Sequence, residues 1–284
     1  MLQKMNRGLA AGLIMLSVLL LAGFAGKTYT LRYAPKEGAK ITYKGTTTVE
    51  QTMEMMGQEN TTDIAAEVTM TVLVESIDEK GNIAYVVSTD SLRSTIRSMM
   101  MDTTLVNPEW IIGKRKRYTV SARGKSISSE SIDSVATGGQ LAGMMGSVDR
   151  SWNLPLLPEK PVAVGDTWSD TVTDTMARKG GEILSTRSMK AVLSAVVDTL
   201  GYTCARISYT GDLELNGSFE QQGMKIGFEG EGPMDGTYYV DLKSGLLVAH
   251  INELELDATI GMTGQMSMTI PQSSITKSTL VIKK

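Results

Sequence analysis

The stretch that decides the fold is Leu254-Glu255-Leu256-Asp257-Ala258-Thr259-Ile260-Gly261-Met262-Thr263, continued by Gly264-Gln265-Met266-Ser267-Met268-Thr269-Ile270. Leu254, Leu256, Ala258, Ile260, Met262, Met266, Met268 and Ile270 share one phase of a period of two, and Glu255, Asp257, Thr259, Thr263, Gln265, Ser267 and Thr269 share the other. Successive side chains of a strand point to opposite faces, so this pattern is that of a half-buried β-strand with one apolar and one polar face. Read as one strand it would extend roughly 55 Å, far beyond an ordinary strand. Gly261 and Gly264 are the places where such a strand is expected to bend. A long, bent, one-sided strand suits a strongly curved antiparallel sheet.

The same period recurs near the other end of the chain. Tyr43, Thr47, Val49, Met53 and Met55 take one phase, while Lys44, Thr46, Thr48, Glu50, Thr52 and Glu54 take the other. Met56 to Asn60 reads as a turn, and Val68, Met70, Val72 and Val74 alternate in the returning strand. Landmarks then repeat. Asp78-Glu79-Lys80-Gly81 matches Asp198-Thr199-Leu200-Gly201, Arg123-Gly124 matches Ser244-Gly245, and the Gly57 turn matches Gly180-Gly181. The offset is about 120 residues each time, which predicts a duplicated unit. Each Gly supplies the positive φ that a tight turn requires.

The expected fold is mainly β: two tandem antiparallel β-meander repeats forming a curved sheet or half-barrel, with one short helix between or against them. The predicted divisions are 1–25 leader, 26–128 first repeat, 129–160 short helix and proline-containing linker, and 161–284 second repeat. The helix rests on Ile132, Val135, Ala136 and Leu141 at loosely helical spacing. The extended linker rests on Pro155 and Pro158.

The leader reads as an export signal. Lys4 and Arg7 form a basic n-region, Leu9 to Leu21 an apolar h-region, and Gly23-Phe24-Ala25 a small-x-small cleavage site. The apolar core is short for a membrane span. Leu21-Ala22-Gly23 resembles the lipobox of bacterial lipoproteins, but Phe24 stands where the acylated cysteine would be. The expectation is therefore an exported protein, periplasmic or extracellular, without a lipid anchor and without a stable membrane span once the leader is gone. Removing 25 of 284 residues leaves 259, enough for an ample core. A single cysteine rules out an intramolecular disulfide framework. The formal net charge of −3 is mild and points to no partner.

Chemistry-bearing motifs are few. His250 is the only histidine, so a multi-histidine zinc site is excluded. It and Cys204 read as strand residues, with no nucleophile elbow nearby. Gly124-Lys125-Ser126 reads as a hairpin turn, since it opens no helix. The basic run Lys114-Arg115-Lys116-Arg117 has no stacking aromatic beyond Tyr118, so it reads as a solvated strand edge and no nucleic acid partner is expected. No catalytic residue, metal or cofactor is assigned. The 19 methionines stand out against 5% aromatics. Thioethers suit Cu(I), but most of them occupy the apolar phase of β alternation, which favours core or pocket lining. Met262, Met266, Met268, Met53 and Met55 are the candidate ligand-binding residues, because flexible thioether side chains repack around varied apolar molecules.

Pro161-Val162-Ala163-Val164-Gly165-Asp166-Thr167-Trp168, Gly236-Thr237-Tyr238-Tyr239-Val240-Asp241-Leu242-Lys243-Ser244-Gly245-Leu246-Leu247 and Leu31-Arg32-Tyr33-Ala34-Pro35-Lys36-Glu37-Gly38 together resemble segments of an uncharacterised family of exported bacterial β proteins. The resemblance transfers no functional residue. The long one-sided strands are similar, at the level of fold, to the half-barrels of periplasmic lipoprotein carriers. The expected function is non-enzymatic: binding of an apolar small molecule, a lipid or an envelope component on a Met-lined concave β face. The alternative is a structural or protein-interaction module of the cell envelope, with an envelope protein as partner and no small-molecule ligand.

Overall fold

The computed structural model describes residues 27–55, 57–99, 101–133, 154–178, 180–221, 223–264 and 267–283. The leader, residues 134–153 of the expected helix and linker, and Met266 lie outside them. The strands are β1 (Lys40–Met55), β2 (Gln58–Ile77), β3 (Ile83–Ser98), β4 (Asp102–Val106), β5 (Arg115–Val120), β6 (Ser126–Ser131), β7 (Thr167–Arg178), β8 (Gly181–Thr199), β9 (Tyr202–Gln221), β10 (Met224–Asp241), β11 (Leu247–Thr263) and β12 (Met268–Lys283). They form one antiparallel sheet in the order β6-β5-β3-β2-β1-β12-β11-β10-β9-β8-β7, with β4 on β3, and the sheet does not close on itself. The first and last strands meet in its middle.

Register fixes the faces. Tyr43 pairs with Ile282 and Met70, Leu280 with His250, and His250 with Tyr238, so these residues share one face. Their strand neighbours Lys44, Thr69 and Ile251 take the other. The alternation read from the sequence along β1, β2 and β11 is the alternation of the sheet.

Two expectations are corrected. The decisive stretch is not one bent strand but the β11–β12 hairpin, in which Ile260 pairs with Ile270 and Met262 with Met268. Gly264 lies in its turn. Paired residues of a hairpin point to the same side, so the shared phase survives the change of topology. Pairing the two halves also satisfies backbone groups that one very long strand would have to pair elsewhere. Second, Ser129 to Ser131 are strand rather than helix, and no helix occurs among the described residues.

Gly81, Gly124, Gly201 and Gly245, compared in the sequence, lie in turns between strands. Asp78 to Gly81 lies between β2 and β3, and Leu200-Gly201 joins β8, which ends with Asp198-Thr199, to β9; Gly124 lies between β5 and β6, and Gly245 between β10 and β11. Gly81 and Gly201 have φ of 78° and 79°. The Asp side chains stabilise these turns: Asp78 accepts from the Lys80 and Asn82 amides at 2.9 and 2.8 Å, and Asp198 accepts from the Thr203 hydroxyl at 2.7 Å.

The core sits at one end of the apolar face, which we call the base. Tyr43, Val72, Val74, Ile83, Leu193, Ile207, Val240 and Val248 are almost fully buried there. The segments 27–39 and 154–166 cross this end. Tyr29 and Val162 exchange two backbone hydrogen bonds, the Tyr33 amide donates to the Ala122 carbonyl at 2.8 Å, and the Leu157 amide donates to Arg123 at 2.8 Å. Leu31, Tyr33, Leu157 and Val162 are buried, so the stretch around Pro155 and Pro158 is part of the core and not merely a tether. Tyr33 lies close to Tyr43 on β1, Tyr85 on β3 and Tyr238 on β10. The apolar face is therefore concave at the base, and the crossing segments fill it.

Candidate functional site

Beyond the core, the apolar face continues to the far end of the sheet without a covering layer among the described residues. Met53 pairs with Gln272, Phe228 with Ile260, Ile226 with Met262 and with Phe219, and Met262 with Met268. These side chains sit on one face across β1, β12, β11, β10 and β9. Met53, Ile226, Phe228, Ile260, Met262 and Met268 are half-buried, while Met55 is 37% exposed. The structure thus brings Met53, Met55, Met262 and Met268 to the same end of the same face. Phe219 and Phe228 join them unannounced by the sequence reading. Their signal was available: they are two of only three phenylalanines, and they lie in the apolar phase of the β9–β10 hairpin.

The polar face is different in kind. At the far end it holds a groove of about 650 Å³ lined by Glu54, Glu59, Glu214, Glu229, Glu231 and Asp257, with Pro271 and neighbouring residues. It reaches from β2 to β9, so the polar face is concave where the apolar methionines lie opposite. The candidate methionines do not line this groove. No group of three or more His, Cys, Asp or Glu among the described residues is arranged to hold a metal ion.

Between core and far end the apolar face carries an aromatic stack. Tyr238 lies 4.1 Å from His250 and 4.9 Å from Tyr209, centroid to centroid, with interplanar angles of 17° and 23°. The Tyr209 hydroxyl is 3.1 Å from His250 Nε2. Gly236 makes room, since a Cβ there would press on the Tyr209 ring and hydroxyl. Burial lowers His250 to a pKa of about 4, so it is neutral at pH 7. Burial also raises Tyr209 well above the usual range, and Tyr238 to about 12. Arg187, ion-paired with Asp174 at 2.5 Å, acts on both tyrosines. Residues from β7 to β11 meet here, and no local spacing in the sequence signals it.

Other motifs have structural explanations. Cys204 is fully buried in β9, and burial pushes its thiol up to about 11. Gly124-Lys125-Ser126 lies in the β5–β6 connection. In the basic run, the Arg115 guanidinium donates two hydrogen bonds to the Asp133 carboxylate and its backbone amide a third, Arg117 pairs with Glu75 and Glu130, and Lys116 lies over the Tyr118 ring. Most of its charge is answered within the chain.

A family described as a family of unknown function (DUF6263) matches residues 150–247. No curated protein matches the sequence. Among solved structures, the translocator domain of the autotransporter NalP from Neisseria meningitidis is similar at a TM-score of 0.23 and 9% identity, covering 96% of this chain and 97% of that one. A porin mutant from Rh. blastica is similar at a TM-score of 0.18 and 6% identity, covering 86% of this chain and 100% of that one. At such TM-scores neither likeness carries an argument. The facing of the strands speaks independently: Glu50, Glu67, Glu214, Glu229, Glu255 and Asp257 stand exposed on the face opposite the core. Six exposed carboxylates make this a face for water.

Proposed function

We propose that this is an exported, non-enzymatic binding protein, free of a lipid anchor, whose uncovered apolar face takes up an apolar molecule such as a lipid chain. The observation that supports the reading is the half-exposed patch of Met53, Met262, Met268, Phe228 and Ile260 on one face of the sheet. Water-exposed apolar patches of this kind mark interaction sites, and thioethers adapt to varied chains. The two halves, with their corresponding turns, derive on this reading from a duplicated unit of about 120 residues.

Titration of the purified mature chain with a fluorescent acyl-chain probe tests it. Saturable binding is expected, and Met262→Glu should remove it while leaving the circular dichroism unchanged. Absence of saturable binding to the unmutated chain ends the reading. The interaction-module alternative has its own support in the open edge of β7.

A further inference from the structure

We propose that the free edge of β7 is a docking edge, which pairs with an extended peptide segment carrying a basic side chain opposite Asp170. β7 ends the sheet. It pairs with β8 over its whole length, from Thr167 with Val192 to Arg178 with Gly181, and among the described residues no strand lies on its other side. At 12 residues it is twice as long as β6 at the opposite end. An unpaired strand edge offers a row of backbone donors and acceptors to any incoming chain, and proteins commonly blunt such edges with lysine, proline or shortness. Thr167 to Thr175 contains neither lysine nor proline. It is Thr-Trp-Ser-Asp-Thr-Val-Thr-Asp-Thr, rich in the β-branched and aromatic residues that favour pairing.

Two carboxylates stand on the core-side face of this edge strand, and they are not equivalent. Asp174 is neutralised by Arg187. Asp170 is half-buried; its Oδ1 accepts from the Thr171 amide at 2.9 Å, but its Oδ2 is buried with no hydrogen-bond partner among the described residues. A buried acceptor without a donor is costly, more so when charged. β8 supplies none, since the residue opposite Asp170 is Met189. A residue directly opposite on a new strand would place its side chain beside Asp170. A lysine or arginine there completes the site, whereas an acidic residue is repelled. Main-chain pairing supplies affinity and Asp170 supplies selection, as in β-strand addition with negative design against wrong partners.

The test uses the mature chain and capped heptapeptides of alternating threonine and valine with a central lysine or glutamate. The lysine peptide should bind at least about tenfold more tightly than the glutamate peptide, as expected for gain or loss of one charged hydrogen bond. Asp170→Asn should bring the two within about threefold of each other. N-methylation of alternate amides on the pairing edge of the lysine peptide should abolish binding, a readout that holds even if the variant folds poorly. Equal affinities for the two peptides, undiminished binding of the methylated peptide, or no binding of the lysine peptide overturns the proposal. So does hydrogen exchange showing the β7 amides of the unliganded monomer as protected as those of β8, because the chain would then cover its own edge.

Discussion

The Tyr43 hydroxyl donates a hydrogen bond to the Leu247 carbonyl at 2.8 Å, across 204 residues of sequence. Tyr43 lies on β1 and Leu247 opens β11, so the bond spans the last strand, β12, at the centre of the sheet. Burial raises the Tyr43 hydroxyl far above its usual pKa, so it stays neutral and keeps its proton to donate at ordinary pH. Tyr43→Phe should lower stability by about 1–2 kcal/mol, the cost of leaving a buried acceptor unmet, as read from urea unfolding.

The central position of β12 has a larger consequence. It joins β1 in one half to β11 in the other through continuous pairing from Thr42 with Lys283 to Met53 with Gln272. A chain ending before Met268 keeps both halves but loses this seam and exposes two long strand edges. It should lose cooperative unfolding by calorimetry and associate in solution.

His250 predicts a pH dependence. Its pKa is about 4 in the folded chain against about 6.5 when unfolded. Between these values the unfolded chain binds a proton that the folded chain does not, so stability falls as pH drops from about 6.5 towards 4, by at most about 1.4 kcal/mol per pH unit. Above about pH 6.5 this contribution is constant. His250→Gln should flatten that part of the stability curve relative to the unmutated chain.

Gly245 sits at φ 65°, and an added Cβ there would collide with the Arg32 carbonyl and Tyr33 backbone. Gly57 has φ 75° but open space around it. Gly57→Ala should cost about 1 kcal/mol, the conformational penalty alone. Gly245→Ala should cost at least about 2 kcal/mol, because the crossing segment at the base must also move.

The Cys204 thiol should resist alkylation at pH 8 in the native chain and react promptly in urea, since burial both hides it and keeps it protonated. Prompt reaction of the native chain would show that the base opens in solution.

Processing can be read by mass. On the proposed reading of an exported chain without a lipid anchor, the mature protein should carry an unmodified N-terminus near Gly26. An acyl adduct or a retained leader would remove the exported, unanchored reading.

What the sequence by itself determined was local. The period of two along Tyr43 to Met55, Val68 to Val74 and Leu254 to Ile270 assigns each side chain to a face, because strand geometry alone sets that alternation. Turn positions were equally legible, since Asp78, Gly81, Asp198 and Gly201 carry the hydrogen bonds and positive φ that turns need. Even the facing of Met262 with Met268 came through, although the strand read as continuous is a hairpin; both topologies put those residues on one side.

Only the tertiary structure decided which strands are neighbours. No periodicity says that β1 pairs with β12, that Pro155 to Val162 packs into the core against Tyr29 and Tyr33, or that Tyr209, Tyr238 and His250 stack. These contacts join residues far apart in sequence, and the choice among pairings rests on how the whole sheet bends. That bending also left the methionine face uncovered at the far end, placed the groove on the opposite face, and left β7 with an open edge. An apolar alternation reads the same whether its face is sealed, as at Tyr43, or left half-exposed, as at Met262.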